Sequence, residues 1–126
     1  MLSTSFYSFI NSFNQKLVYK FKHIKLPYDK LGEVFVKKLV FEGFIQYYWL
    51  EKDQINLLLR FDNWSNPLIK KIVFVSKNKK YKKFKFRNLN RTKVDLPLFY
   101  SNNEILSHQD MIKSRKGGIL LLKILI

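Results

Sequence analysis

Apolar positions Phe6, Phe9, Ile10, Phe13 and Leu17 recur at i, i+3, i+4, i+7 and i+11, with serines and asparagines filling much of the rest. That period predicts an amphipathic helix with one apolar stripe. Over residues 23–27 the period shortens to two. Ile24 and Leu26 alternate with polar neighbours in an extended piece, and Pro27 closes it by excluding helical geometry from the residue before it. Asp29 then stands where a second helix needs its cap. Leu31, Val34, Phe35 and Leu39 restore the helical spacing, and Gly43 offers the stop.

Beyond Gly43 the pattern becomes β. Residues 44–50 form an aromatic-rich strand, 51–54 a polar turn and 55–61 a second strand, which together predict a hairpin. The segment DNWSNP at 62–67 has the composition of a linker, and the boundary between two lobes, 1–65 and 66–126, is placed there. A strand over 68–75 leads into residues 76–87. Residues 88–93 read as a polar loop, 96–100 as a short segment, 101–104 as a turn and 119–126 as a buried terminal strand. The expected class is α+β with two small lobes. The N-terminal lobe has two helices on a short mixed sheet, and the C-terminal lobe is mostly β.

Charge changes the picture most at residues 76–87, SKNKKYKKFKFR, where cations and aromatics interleave without a carboxylate. No acid occurs between Asp62 and Asp95. If residues 81–87 are a strand, Tyr81, Lys83, Lys85 and Arg87 share one face while Phe84 and Phe86 take the other, one side for phosphate and one for a core. A solvated lysine edge that discourages strand-on-strand aggregation is the competing reading. The whole chain of 126 residues carries 24 basic and 9 acidic side chains, a net charge of +15. Solubility alone favours a magnitude of only about 2 to 8, so a polyanionic partner is expected, either nucleic acid or an anionic membrane. With 47% hydrophobic and 17% aromatic residues, the chain is a folded basic protein rather than a disordered tail.

No apolar run approaches the roughly 20 residues that span a bilayer. The membrane reading therefore reduces to a peripheral protein whose 6–17 stripe lies in the interface. Residues 1–28 lack acids, as an import presequence does, but they also lack arginine. Cysteine and alanine are absent, and the dominant residues, Lys, Phe, Ile, Asn, Tyr and Leu, are those that AT-only codons can specify. We read this as the mark of an AT-rich organelle genome.

Catalytic signatures are missing. His23 and His108 stand in no ligand spacing, no phosphate-binding loop is present, and the expectation is a non-enzyme without metal or cofactor. A second cluster suits RNA better: Ser107, His108, Gln109, Lys113, Ser114, Arg115 and Lys116, followed by Gly117 and Gly118. Short hydrogen-bonding side chains beside cations, then glycines that let a backbone approach closely, fit phosphate and 2′-hydroxyl contacts. The competing reading is an ordinary polar loop before a strand.

LPYDKL at 26–31 and FEGFI at 41–45, with VSK at 75–77, ILS at 105–107 and Gly117-Gly118 before the terminal strand, resemble the small-subunit ribosomal protein eight family in order and spacing. Asp29 takes the place of the family's capping serine. Asn78-Lys79 replaces its Pro-Gly turn, His108 and Gln109 replace Thr and Ser, and the interval from Met111 to Gly117 is shorter, which is similar to a mitochondrial member. The resemblance implies a structural constituent of the mitochondrial small ribosomal subunit. Its partners would be the central domain of small-subunit rRNA and neighbouring ribosomal proteins. Ser107 is the identity in the key loop, with His108 and Gln109 inferred by position. Ser76, Lys77, Lys79, Lys80, Lys82, Lys83, Lys85 and Arg87 would supply sequence-independent attraction, with Pro27 and Lys30 added from the first motif. An RNA-binding protein outside the ribosome is the remaining alternative.

Overall fold

The computed structural model describes residues 4–74, 83–84, 95–101, 104–107, 109–110, 113 and 118–126. The fold is α+β; the named elements among the described residues are two helices and the strands of two antiparallel sheets, in the order α1 (Thr4–Val18), β1 (His23–Pro27), α2 (Lys30–Phe41), β2 (Ile45–Glu51), β3 (Gln54–Leu59), β4 (Lys71–Phe74), β5 (Lys83–Phe84), β6 (Asp95–Ser101), β7 (Glu104–Ser107) and β8 (Gly118–Leu125). The chain divides into two compact units, Met1–Lys70 and Lys71–Ile126. That division falls after the expected 65/66 boundary, because DNWSNP folds back as a turn. The Asp62 carboxylate accepts from the backbone N–H groups of Trp64 and Asn66 at 2.8 and 3.0 Å, Phe61 bridges to Pro67, and the Leu68 N–H donates to the Arg60 carbonyl. The strand expected over 68–75 accordingly begins only at Lys71.

In the first unit the stripe of α1 is buried in full, Phe6, Phe9, Ile10, Phe13 and Leu17 alike. The membrane reading required that stripe in a lipid interface; the core has consumed it. Phe35 of α2 lies edge-on to both Phe6 and Phe13, with ring centroids 6.3 Å apart in each case, an arrangement favoured by the ring quadrupoles. The buried face of α2 is Gly32, Phe35, Val36 and Leu39. Leu31 and Val34, expected in the core, are only half-buried. The face rotates toward Gly32 because α1 approaches there too closely for a side chain: a Cβ would stand 2.9 Å from the Phe9 ring.

The ends of α2 are fixed as the sequence predicts. Asp29 accepts from the Gly32 N–H at 2.8 Å through one carboxylate oxygen and from the Ser5 hydroxyl through the other, a cap that typically contributes about 1 kcal/mol. At the far end the Gly43 N–H donates to the Val40 carbonyl and the Phe44 N–H to the Leu39 carbonyl. Gly43 has φ +89°. This is the Schellman pattern, and it needs the left-handed conformation that glycine adopts without steric cost.

The sheet of this unit has the order β1-β3-β2 and is antiparallel throughout, rather than mixed. Lys52 and Asp53 join β2 to β3 with φ of 49° and 61°, the sign that a two-residue hairpin turn of matching twist requires at both positions. Ile24, Leu26, Ile55, Leu57 and Leu59 are buried against the helices. A register shift between Ile45 and Tyr47 keeps Ile45 facing in while turning Tyr47 and Trp49 outward.

In the second unit β8 pairs with β4, β5 and β6, and β6 pairs in turn with β7. Among the described residues Ile72, Leu96, Leu98, Phe99, Ile105, Leu121, Leu122 and Ile124 are buried there. The β6–β7 ladder ends at the Leu98–Ser107 pair, next to Pro97, which has no N–H to donate to a neighbouring strand. Among the described residues no helix is long and apolar enough to cross a membrane.

Candidate nucleic-acid interface

Two of the segments singled out for RNA contact meet in one sheet. β5 pairs antiparallel with β8, setting Lys83 opposite Ile119 and Phe84 opposite Gly118. Lys83 and Phe84, the described residues of the basic stretch, and Gly118 with Ile119 are thus on neighbouring backbones. Ser107 closes β7 in the same sheet, separated from β5 by β6 and β8.

Ser107 itself does something more local than contact a ligand. It is 2% exposed. Its Oγ accepts from the Asp110 N–H at 3.3 Å, while its own N–H donates to Asp110 Oδ2 at 3.2 Å. This reciprocal exchange is the geometry of a helix-capping box, with Asp in place of the usual Glu or Gln. Gln109, Asp110 and Lys113 are helical, and Gln109 and Lys113 are exposed. The serine sets the turn, and Gln109 and Lys113 after it face solvent.

In the first unit Pro27 is exposed at the end of β1, opposite Gln54, and Lys30 is exposed as the first residue of α2. Ser76, Lys77, Lys79, Lys80, Lys82, Lys85, Arg87, His108, Ser114, Arg115, Lys116 and Gly117 lie outside the described residues.

A group of residues that the sequence reading passed over lies on the face of the β1-β3-β2 sheet turned away from the helices. The registers set Tyr47, Leu58 and His23 in one row across the strands, Trp49, Asn56 and Lys25 in the next, and Glu51, Gln54 and Pro27 in the third. The His23 and Trp49 rings stack at 5.2 Å with planes 29° apart, and Tyr47 lies 5.6 Å from Trp49 at 33°. Asn56 between them is 1% exposed, with its Oδ1 3.1 Å from His23 Nε2. Tyr47 also walls a shallow groove lined by Gln46, Arg60, Phe61 and Leu68. The aromatic run Tyr47-Tyr48-Trp49 was the available signal, but strict alternation from Ile45 turns Tyr47 and Trp49 inward, and only the register shift turns them out.

On the opposite face of the same strand, Tyr48 is tied to α2. Tyr48 donates to Glu33 Oε2 at 3.1 Å and Tyr28 donates to Glu33 Oε1 at 3.2 Å. Burial first, and then the bond to Glu33, hold the Tyr48 phenol above its ordinary range. Comparison with protein-family models and with curated protein sequences finds no match for this chain.

Proposed function

We propose that this chain is a structural constituent of a small ribosomal subunit, of mitochondrial type and organelle-encoded, that binds small-subunit rRNA and catalyses nothing. The observation that carries the reading is the pairing of β5 with β8, which sets Lys83 and Phe84 of the basic stretch beside Ile119 and Gly118 in one sheet, in a chain with an excess of fifteen positive charges. A lysine-rich sequence whose backbone pairs next to a glycine is suited to a phosphate backbone, where close approach and charge are both needed. The resemblance to the ribosomal protein eight family supplies the choice of RNA. Its first motifs coincide with the Asp29 cap and the Gly43 stop, so they have a folding role as well.

Within this reading Ser107 is a positioning residue. It holds the turn from which Gln109 and Lys113 reach out, and those two make the contact. The test is sedimentation of the tagged protein from its native organelle. Co-migration with small ribosomal subunits, lost on nuclease treatment, is the expected result. Flotation with vesicles after the RNA has been digested would overturn it in favour of a membrane-docked protein.

A further inference from the structure

The outward face of the β1-β3-β2 sheet is a second surface, on the other unit from β5 and β8. We infer that it is a stacking platform for unpaired nucleotides of RNA, built on Trp49, Tyr47 and His23. The inference shares with the proposed function only the choice of RNA as partner.

The rings are arranged for it. Their planes lie within 29° and 33° of one another in a series, His23 to Trp49 to Tyr47, and an unpaired base can extend that series at its exposed ends, His23 and Tyr47, whatever the base's identity. The platform is preorganised. Asn56 is buried beneath it and meets His23, and Trp49 is half-buried, whereas Tyr47 is 53% exposed. Cations flank the rings. Lys25 stands in the row of Trp49 and Asn56, and Arg60 with Gln46 lines the groove beside Tyr47. The chain entering β1 repeats the combination, since Tyr19 and Phe21 stack at 5.8 Å and alternate with exposed Lys20 and Lys22.

The chemistry selects this occupant. The centre of a protein-binding patch is depleted of charge, whereas here the exposed Lys25 stands in the middle row with Trp49. A duplex keeps its base faces stacked on one another and could use only the lysines. Unpaired nucleotides can use both rings and cations.

The test uses the full chain. Trp49 and Trp64 are its two tryptophans, and Trp64 is 80% exposed in the 62–67 turn, so Trp64→Phe leaves Trp49 as the reporter. Titration with single-stranded oligoadenylate should quench Trp49 saturably. Measured by filter binding, which needs no tryptophan reporter, Tyr47→Ala and Trp49→Ala should each weaken binding of the single strand by roughly five- to a hundredfold and leave affinity for an RNA duplex of equal length unchanged, with Trp49→Phe retaining most of the single-strand affinity. If Trp49→Ala does not fold, Tyr47→Ala and Trp49→Phe carry the comparison. No quenching, equal losses on both RNAs, or quenching only by a protein fraction would overturn the platform. Loss of the single-strand effect with ribosomal co-sedimentation intact removes the platform alone. Stacking on oligoadenylate without subunit association removes the ribosomal reading alone.

Discussion

Glu33 receives two phenols on one carboxylate, Tyr28 at 3.2 Å and Tyr48 at 3.1 Å, and both phenols are held above their ordinary value of 10.0, burial being the first cause and Glu33 the second. Ionising Tyr48 in the folded state would break its bond and set two negative charges together. Between the ordinary and the raised value the folded chain therefore holds a proton that the unfolded chain has released. The stability this bond contributes is complete below about pH 10 and is lost as pH rises through the raised value. Tyr48→Phe should be the less stable protein near neutrality, and the gap should close as pH climbs past about 10, since lysine titration is common to both chains. Urea denaturation at stepped pH measures it; a gap that stays constant would mean that Tyr48 acts through packing alone. Ser107 makes a related point about what a residue's identity can reveal. Its hydroxyl was legible as a hydrogen-bonding group near cations, but its partner, Asp110, decides whether that group faces RNA or the backbone. The reciprocal bonds with Asp110 assign it to the backbone.

Where α2 meets α1, packing overrides propensity. Gly32→Ala should gain roughly 1 kcal/mol in helix propensity, yet the new Cβ would lie 2.9 Å from two atoms of the buried Phe9 ring. Overpacking of that kind costs about 1–3 kcal/mol, so a net loss is expected, and Phe9→Leu in the same chain should recover part of it because the two sites share one contact. Urea denaturation of the two single variants and the double variant gives the coupling, and a stabilising Gly32→Ala would show that the helices are not in such close contact. The same contact explains why the inner face of α2 was legible only in part. Phe35 and Leu39 announce themselves by spacing, whereas a glycine contributes no hydrophobicity to a period. The long stripe of α1 and the alternation of β1 were readable in full because each side chain reports its own side. β7 was not readable: a strand of four residues carries too short a period, and its existence depends on the β6 ladder. The register shift in β2 hid the outward aromatic face for the same reason, since it is defined by a partner strand.

At the scale of the whole molecule two kinds of RNA contact should separate by their response to salt. Each cation that neutralises a phosphate releases counterions, so log K falls with log salt by about 0.7 to 0.9 for each contact. A net charge of +15 makes a steep slope the expectation for an isolated rRNA fragment. Stacking releases no counterions, and its contribution moves the line without tilting it. Replacing Lys83 and Lys85 by Gln should therefore make the slope shallower by about one contact per lysine engaged, and should weaken binding most at low salt. Tyr47→Ala should lower a single-stranded substrate's affinity by the same factor at every salt concentration and leave the slope alone. Filter binding across a salt series, with both variants on single-stranded and duplex RNA, resolves the two terms. If the tyrosine variant changes the slope, the sheet face acts through the cations beside its rings rather than through the rings. If the lysine variant leaves the slope unchanged, the basic strand is a solvated edge that keeps sheets apart, and the positive field that draws in RNA must come from elsewhere on the chain.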